Sequence, residues 1–542
     1  MFYYTVINYQ HTSNNMLKIN TLAKSKLFFA LFLVVYSILG AYLIGYYQYD
    51  TISRDLIVII SVAKLYASGD ISNAINGYWG PFFPWLLVPF ILDSPAPQSV
   101  MYATKIISLI TGFFTIIGAI FLSYRFKMNE KIRVIVIFPV IFVILYFALR
   151  YNPVDLLLAC FLIYYMYFIF NPSYSQNLHN SALCGIFAGM AYLTKSYVFP
   201  FFIVHFIIMN YFYYLKSTAN RKKVMKNLFL GLTVFFIISG TWSTIISEKY
   251  GHITVGTSGK YNFEESGPLQ HGSPIWNGLI KPPNDKSVSA WEDPSYFKMK
   301  SWNPLDSWKS FAYLFNLIIN NFLKLIGYLQ QFTYFSAIIL VIYLSFLFKP
   351  LRKLISTKEE QIYPILTIIL FCTGYLIIFV EFRYFFIVYI LIILMGGYLL
   401  NILSKTRFLN KWGAFLLLLL FVISLIVVPV SSLMNNQYTG QDYYTMSNSI
   451  SKYDVHGNIA SNDKYRDSLN IAYYLNAHYY GRATNSTTKK PLNDAELEKS
   501  FKEYNIDYYF FWGNSNTNMD LLKKYKEITN GTIKGLKIYK IR

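Results

Sequence analysis

Cysteine is scarce in this chain, and the few cysteines show no metal or disulfide pattern. The three residues, Cys160, Cys184 and Cys372, all lie inside apolar runs. Their spacing gives neither a zinc motif nor a disulfide framework, so we interpret them as small buried apolar residues. Internal repeats and low-complexity linkers are not visible either, which weighs against transporter folds built from two related halves.

Charge is the second scarce feature. Charged residues make up only 14% of the 542 residues, whereas 55% are hydrophobic. Apolar runs long enough to cross a bilayer recur over residues 1–432, where a soluble protein would show short amphipathic elements. The aromatic share of 19% fits this in part, since Tyr and Trp favour the bilayer interface. The composition therefore predicts a multi-pass membrane protein.

The net charge of +21 does not indicate a nucleic-acid partner. Most of the cations lie in short loops between apolar runs, which is the pattern that orients membrane proteins. No motif that reads a nucleic-acid groove is present. We expect membrane lipids to surround the chain and nucleic acid to play no part in its function.

The apolar runs predict an all-α membrane domain over residues 27–432 with about eleven transmembrane helices. The run 181–214 is too long for one helix and is interrupted at Thr194–Ser196, so we interpret it as two spans that meet at a polar turn. Residues 311–330 are expected to form an interfacial helix. The predicted spans are 27–47, 103–123, 133–149, 154–170, 181–194, 196–214, 227–247, 333–348, 360–380, 384–403 and 412–432.

The positive charges predict the orientation, with residues 1–26 in the cytoplasm. Reversing it would place every cationic loop outside. Two long loops, 48–102 and 248–332, and the tail, 433–542, are then extracytoplasmic. The four loops assigned to the cytoplasm carry Arg125, Lys127, Lys131 and Arg133; Lys216, Arg221, Lys222, Lys223 and Lys226; Lys349, Arg352, Lys353 and Lys358; and Lys405, Arg407 and Lys411.

The tail differs in pattern from the rest of the chain. It is polar, with a mixed helical pattern over residues 497–504 followed by an apolar-aromatic run over 508–512. A helix that leads into a strand fits this order. Residues 433–542 are therefore expected to form a small α/β or α+β domain outside the membrane.

Three cations depart from the positive-inside pattern. Arg150, Lys195 and Arg383 each lie at the outer end of a predicted span, where ionisable groups are costly and tend to mark a site. Together they would suit a phosphate, because Arg offers a bidentate fork and Lys a point charge. The alternative for each is that its side chain extends to the lipid headgroups.

Two carboxylates are expected near the same surface. Asp55 follows the first span, and Asp155 lies at the mouth of the fourth. Such a carboxylate can accept a proton from an attacking hydroxyl or hold a metal. Asp155 can instead be a first-turn acid that the helix dipole stabilises, and Asp55 a simple interfacial residue. Arg54 can pair with an acidic neighbour and lower its pKa.

The first long loop has two parts. Residues 64–70 are expected to lie on the membrane within an amphipathic helix, and residues 76–85 to turn back into the bilayer. The aromatic rings of Tyr78 and Trp79 can stack on a sugar, although interfacial anchoring explains them equally well.

This arrangement resembles the first outer loop of the GT-C membrane glycosyltransferases, especially the protein O-mannosyltransferase and aminoarabinose-transferase type. The resemblance starts with an acid after the first span and the run 78–87, Tyr-Trp-Gly-Pro-Phe-Phe-Pro-Trp-Leu-Leu. Asp155 resembles the family's second acidic position. Residues 189–195 resemble its "G-x-A-x-L-T-K" helix end, and 381–384 its "E-x-R-Y" before a late span. The tail resembles the periplasmic domain of bacterial members, at 473–475 and 506–509.

The resemblance implies a reaction. A sugar would pass from a polyprenyl- or dolichyl-phosphate donor to a hydroxyl of a protein, lipid or glycan on the extracytoplasmic face. Asp55 would be the general base, and Arg150, Lys195 and Arg383 would hold the lipid phosphate as it leaves. Asp155 would orient the acceptor or a neighbouring side chain.

One departure concerns metal. The acidic pair often found after the first span is Arg54-Asp55 here, and no D-x-D motif occurs at that place. This weakens a metal-dependent, oligosaccharyltransferase-like mechanism. We expect no required cofactor, and a divalent metal is left open. His252, His271, Glu292 and Asp293 could offer ligands, but no helical His spacing supports them.

The second long loop is rich in Gly, Pro and Trp over residues 256–294, which predicts an ordered, irregular segment. It is expected to cover the active site and to help select the acceptor. The residues predicted to contact the acceptor or this loop are Arg54, Tyr78, Trp79, His271, Trp291, Glu292, Asp293 and Tyr384.

Three other functions compete with a glycosyltransferase. A transporter or flippase for lipid-linked saccharides would need charges deep in the spans and helix breaks near the bilayer centre, whereas the ionisable residues noted above lie at outer ends. A glycan polymerase also has a large outer loop, but an outward C-terminal domain would be unexpected. The third is a receptor or assembly scaffold that uses the tail.

Overall fold

The computed structural model describes residues 2–50, 53–216, 218–269, 273–348, 359–406, 410–484, 490–513 and 519–542. Over these residues the chain forms a helical domain followed by a small α/β domain. The helices are α1 (Phe2–Tyr47), α2 (Arg54–Ala67), α3 (Ile71–Ala74), α4 (Phe82–Asp93), α5 (Pro97–Ser123), α6 (Glu130–Ile137), α7 (Val140–Arg150), α8 (Pro153–Ile169), α9 (Leu178–Thr194), α10 (Val198–Lys216), α11 (Arg221–Tyr250), α12 (Ser258–Glu265), α13 (Trp308–Phe332), α14 (Ser336–Ser345), α15 (Tyr363–Leu376), α16 (Phe386–Leu403), α17 (Lys411–Asn435), α18 (Gln441–Ile450), α19 (Tyr465–Tyr474), α20 (Asp494–Glu503) and α21 (Met519–Leu522).

Within the described residues, eight segments are long and apolar enough to cross a bilayer. They are Ala23–Tyr47, Pro97–Ser123, Glu130–Arg150, Val198–Lys216, Arg221–Tyr250, Trp308–Phe332, Phe382–Leu403 and Lys411–Asn435. Four shorter apolar helices, α4, α8, α14 and α15, lie among them. The segment expected to be an interfacial helix at 311–330 is part of α13, which has 25 residues and so the length of a span.

The predicted break in the run 181–214 is confirmed. Helix α9 ends at Thr194, Lys195 is extended with φ −147° and ψ 126°, and α10 starts at Val198. This turn lies against the first loop, where Gly80 packs on the end of α9. A Cβ on Gly80 would come within 2.4 Å of the carbonyl oxygens of Leu193 and Thr194, so only glycine allows this close approach.

Helix α2 is buried over its first part. All residues from Asp55 to Ala63 are buried, and they include Asp55 and Ser61, which have polar partners. It packs against α4, against the short turn Ala290–Glu292 and against α19 of the tail. Residues 64–70, which the sequence places on the membrane surface, include buried Leu65 and exposed Ser68 and Gly69, and their position on a membrane stays a prediction.

The tail forms most of a mixed sheet of six strands, whose order is β1-β3-β2-β4-β6-β5 and whose residue ranges are given at the end of this paragraph. Strands β2 to β6 belong to the tail. The predicted helix and strand are confirmed as α20 and β4. Strand β2 pairs in parallel with β3 and β4, whereas β6 runs antiparallel to β4 and β5. All five residues of β4 are buried, which explains their continuous apolar run. The strands are β1 (Gly278–Leu279), β2 (Asn458–Ser461), β3 (His478–Arg482), β4 (Tyr508–Trp512), β5 (Lys526–Glu527) and β6 (Leu536–Lys540).

Strand β1 does not come from the tail. It belongs to the second long loop and adds to the edge of the sheet, antiparallel to β3, with Gly278 opposite Arg482. The loop and the tail therefore share one sheet.

The tail is fixed to the C-terminal end of α1 and the N-terminal end of α5 by hydrogen bonds to backbone carbonyls. The Tyr438 N–H donates to the Tyr46 carbonyl at 2.8 Å, and the Tyr473 hydroxyl donates to the Pro97 carbonyl at 2.7 Å. Gly440 closes this junction in a left-handed conformation with φ +86°. A Cβ on Gly440 would lie 2.2 Å from the Tyr49 carbonyl oxygen.

We expect Gly440→Ala to destabilise the protein, by roughly 3 kcal/mol or more, because it adds a backbone clash to the cost of a left-handed alanine. The matched control is Gly535→Ala, at φ +75° with no atom within 4 Å of the added Cβ, which should cost only about 1 kcal/mol. The measurement is the apparent melting temperature in detergent. Equal losses in the two variants would show that the junction is not closely packed.

Candidate active site

Asp55 is buried in the first turn of α2, at 7% exposure. Its Oδ2 accepts a hydrogen bond from Arg383 Nη2 at 2.7 Å. Its Oδ1 accepts from the indole Nε1 of Trp291 at 2.9 Å. Both carboxylate oxygens are therefore held, one by the membrane domain and one by the second long loop.

Asp155 lies in the first turn of α8, at 3% exposure. The helix starts there because the Asn152 side chain accepts from the Val154 N–H at 3.1 Å and Pro153 fills the first helical position. The Asp155 carboxylate lies 2.5 Å from Lys195 Nζ. It is thus a first-turn acid and also an ion-pair partner.

Arg383 joins the two acids. Its Nη1 lies 3.6 Å from Asp155 Oδ2, while its Nε lies 2.6 Å from Glu381 Oε2. The residue belongs to the short turn Phe382–Phe385 that leads into α16. The Tyr384 ring packs beneath both cations, with its centroid 4.1 Å from Lys195 Nζ and 5.4 Å from Arg383 Cζ. The side chains of α2, α8, the α9–α10 turn and the α16 entry meet at one place.

Arg150 does not join this group. It forms a partly buried ion pair with Asp50, and Lys105 Nζ donates to the neighbouring Leu149 carbonyl at 3.3 Å. The expected convergence of three cations therefore holds for Lys195 and Arg383, while Arg150 reaches the same cavity from a separate pair. The sequence reasoning missed Asp50 and Lys105, although a lysine inside the span 103–123 was a signal.

The charge of Asp55 depends on these neighbours. Burial is the largest single influence and would raise the pKa of Asp55, while the charge and the hydrogen bond of Arg383 lower it. The Trp291 hydrogen bond and the Arg54 charge act in the same direction, so the pKa lies below its usual value. Asp55 is consequently an ionised carboxylate at neutral pH.

A cavity of about 1080 Å³ opens beside the ion pairs. Arg54, Asp55, Lys195 and Arg383 line one part of it. The segment Ile377–Phe379 gives it an apolar wall, and Asn262 and Glu265 of α12 give a polar one. Burial raises the pKa of Glu265, and the Arg54 charge lowers it in part. The cavity can thus hold a ligand that has an anionic group, a polar part and an apolar chain.

The aromatic part of the first loop and the second loop form the roof. The Asn76 side chain accepts from the Tyr78 and Trp79 N–H groups at 2.9 Å and donates to the Glu292 carbonyl at 2.7 Å. The Tyr78 hydroxyl donates to Asn262 Oδ1 at 2.9 Å. Arg54, Tyr78, Trp79, Trp291 and Tyr384 all line the cavity.

Glu292 and Asp293, by contrast, serve the loop itself. Glu292 is 2% exposed, and its carboxylate accepts from the Ser287 hydroxyl at 2.8 Å and the Val288 N–H at 3.1 Å. Asp293 accepts from the Tyr250 hydroxyl at 2.5 Å. These bonds direct both carboxylates into the loop rather than to an acceptor. His271 lies outside the described residues.

Among the residues that the structure describes, no group of three or more His, Cys, Asp or Glu side chains is arranged to hold a metal. In the roof, the hydroxyl and N–H donors around Glu292 and Asp293 occupy the oxygens that a cation would need. The positive charge beside the carboxylates of Asp55 and Asp155 comes from Lys195 and Arg383.

Comparison with known proteins shows the fold. No family model matches the chain, and no curated protein is detectably similar to it. Its structure is similar to ArnT from Cupriavidus metallidurans bound to undecaprenyl phosphate, with a TM-score of 0.56, 12% identity, and 93% of this chain and 97% of that chain covered. The apo state of ArnT gives a TM-score of 0.55 at the same identity and coverage. A third structure is the archaeal oligosaccharyltransferase AglB from Archaeoglobus fulgidus, in complex with an inhibitory peptide and a dolichol-phosphate. Its TM-score is 0.49 at 11% identity, and the match covers 90% of this chain and 69% of that chain.

The predicted fold class is therefore confirmed. The chain has the GT-C fold, with a polytopic helical domain and a small C-terminal sheet domain. It is a multi-pass integral membrane protein.

The buried acid of the roof predicts a pH effect on stability. Burial raises the pKa of Glu292 from 4.5 to about 7, although hydrogen bonds from Ser61, Ser287 and Val288 lower it in part. The folded state therefore binds this proton more tightly than the unfolded state. Protonation of Glu292 therefore stabilises the folded state. This contribution to the free energy of unfolding is complete below about pH 4.5 and is lost as the pH rises through about 7. We expect Glu292→Gln, which cannot ionise, to be more stable than the natural protein at pH 8, by roughly 1–3 kcal/mol, and nearly equal to it at pH 5.

The measurement is the apparent melting temperature in detergent across this pH range. Glu248→Gln makes the same change at an exposed position of α11 and should follow the natural protein at every pH. A melting difference for Glu292→Gln that is independent of pH would contradict the prediction.

Proposed function

We propose that this protein is a glycosyltransferase that transfers a sugar from a polyprenyl- or dolichyl-phosphate donor to a hydroxyl of a protein, lipid or glycan acceptor. The observation that carries the proposal is the cavity in which ionised Asp55 lies beside Lys195 and Arg383. The similarity in fold to a structure that holds undecaprenyl phosphate supports a lipid-phosphate carrier. The apolar wall at Ile377–Phe379 would suit the chain of such a carrier.

Asp55 is proposed as the general base. The acceptor hydroxyl gives its proton to the carboxylate as its oxygen attacks the anomeric carbon, and the bond from that carbon to the phosphate oxygen breaks with inversion. An ionised carboxylate is the form that this step requires. A base held by Arg383 and Trp291 has a fixed direction, which reduces the entropy cost of the attack.

Lys195 and Arg383 are proposed to hold the phosphate that leaves. The negative charge on the lipid phosphate increases as the sugar bond breaks, and fixed cations stabilise this charge best in a site that excludes water. Each retains donors beyond its present contacts, because an ammonium has three N–H groups and a guanidinium five. Asp155, between them, keeps the two cations in place.

The site is proposed to face the extracytoplasmic side. The cation-rich loops then lie in the cytoplasm, and the second loop and the tail lie outside, where a lipid-linked sugar and a large acceptor can both reach the cavity.

We expect Asp55→Asn to lower kcat for sugar transfer at least a hundredfold, because the base is lost while the size of the side chain is kept. The assay uses the purified protein with a panel of polyprenyl-phosphate sugars and follows donor hydrolysis or transfer. Activity that survives a chelator would support a mechanism without a required metal. Asp93→Asn, at the exposed end of α4, is the control and should transfer at the natural rate. Full turnover by Asp55→Asn would favour a transporter or polymerase instead.

We expect Lys195→Gln to weaken binding of the lipid phosphate roughly tenfold or more, because a charge-assisted contact is lost while the amide can still donate to Asp155. The measurement is inhibition by undecaprenyl phosphate without a sugar. Lys260→Gln makes the same change at an exposed position of α12 and should leave the inhibition constant unchanged. Equal inhibition constants for both variants would remove Lys195 from the phosphate site.

A further inference from the structure

Trp291 connects the second long loop to the carboxylate of Asp55. Its indole Nε1 donates to Asp55 Oδ1 at 2.9 Å, in a bond that is buried on both sides. Arg383 holds the other oxygen at 2.7 Å. A carboxylate fixed at both oxygens cannot rotate freely, so its remaining lone pairs have a defined direction.

The indole is itself held by the roof. The Trp291 carbonyl accepts from Trp79 Nε1 at 3.2 Å, and the next carbonyl, of Glu292, accepts from the Asn76 amide at 2.7 Å. The Trp291 ring packs edge-on against the rings of Tyr78 and Trp79, with centroids 5.4 and 5.9 Å apart. Moving Trp291 away from Asp55 would disrupt these contacts together.

The same segment is anchored to the tail. The Tyr479 N–H of β3 donates to the Val288 carbonyl at 2.8 Å, and His478 Nδ1 lies 2.9 Å from the Ser287 carbonyl oxygen. Ser289 forms a further bridge with Tyr479. A continuous chain of contacts therefore runs from the edge of the C-terminal sheet, through residues 287–291, to the carboxylate in the membrane domain.

We propose that Trp291 is a positioning residue for Asp55, and that the C-terminal sheet sets its place through strand β3. The catalytic meaning of this role rests on the proposed function. The indole N–H can only donate, so it fixes and polarises the carboxylate without competing for the acceptor proton. The tail is then part of the catalytic site and not only a surface that selects acceptors.

Several charged or titratable groups from the elements packed around Asp55 share the cavity with it or act on its charge. They come from α2, α8, the α9–α10 turn, the α16 entry, the first loop and α12, and are Arg54, Asp155, Lys195, Glu381, Arg383, Tyr384, Tyr78 and Glu265. A substitution of Trp291 leaves all of these residues in the sequence, so the titration of Asp55 is compared against the same set of charged groups.

The test is Trp291→Phe, which keeps an aromatic ring and removes the donor. We expect the ascending limb of kcat/KM against pH to move upward by about one unit, because a hydrogen bond to the charged form is lost, and kcat on the plateau to fall roughly tenfold. The matched control is Trp302→Phe, which removes an indole donor from the same loop, where Trp302 Nε1 donates to the Phe263 carbonyl at 3.0 Å, at a residue that does not line the cavity. The control variant can change the rate, but the ascending limb of its kcat/KM profile should lie at the same pH as in the natural protein. A purely structural role of Trp291 would lower the rate at every pH and leave the limb in place, which would overturn the proposal.

A second measurement does not need sugar transfer. Dicyclohexylcarbodiimide adds to protonated carboxyl groups in apolar surroundings, so its labelling of Asp55 against pH, read by peptide mass spectrometry, reports the protonation of that residue. We expect the labelling midpoint to rise by about one pH unit in Trp291→Phe and to stay unchanged in Trp302→Phe. If the natural protein transfers no sugar but this shift occurs, the proposed function fails while the contact stands. If transfer occurs and neither midpoint moves, the positioning role fails alone.

Discussion

The buried bridge from Asp55 through Arg383 to Asp155 is the constraint on which the rest of the site depends. Two carboxylates at 7% and 3% exposure would be strongly unfavourable without cations, and removing one partner of such a pair typically costs about 3–5 kcal/mol. Arg383 and Lys195 make the group of four neutral in sum. Because the acids start α2 and α8 while the cations end α9 and precede α16, these four helix termini must meet for any of the charges to be buried.

A neutral group also suits the proposed reaction. A site with a large positive excess would bind the lipid phosphate tightly before and after transfer, which gives no gain in rate. Here the resting cations are shared with two acids, so the phosphate gains most from them when its own charge increases on leaving. In the proposed reaction the acids would thus moderate ground-state binding, and Asp55 is also in contact with the roof through Trp291.

The sequence predicted what local patterns can encode. Hydropathy and the polar Thr194–Ser196 interruption gave the α9–α10 break, and the helix-then-strand pattern gave α20 and β4. Lys195 and Arg383 were found as cations that break the positive-inside pattern, and Asp55 and Asp155 from their places at the ends of predicted spans and from the family resemblance. What it missed depends on contacts between distant residues. Asp55 and Trp291 are 236 residues apart, and Arg150 and Asp50 are 100 apart; no periodicity links them. The burial of residues 55–63 was not predicted for the same reason, since part of the cover of α2 comes from the loop and the tail.

The position of β1 shows how one segment meets two needs. Strand β3 would otherwise present an open edge, which in a small sheet invites pairing with another chain. The second loop closes this edge with β1 and the Ser289 bridge, and these same hydrogen bonds fix residues 287–291 above Asp55. A loop of irregular backbone placed over a cavity needs such fixed points, because it lacks the hydrogen-bond ladder of a helix or strand. Closure of the sheet edge and, in the proposed role of Trp291, alignment of the Asp55 carboxylate therefore depend on the same segment of the loop, which would give the folded tail a part in the site that the helices alone do not supply.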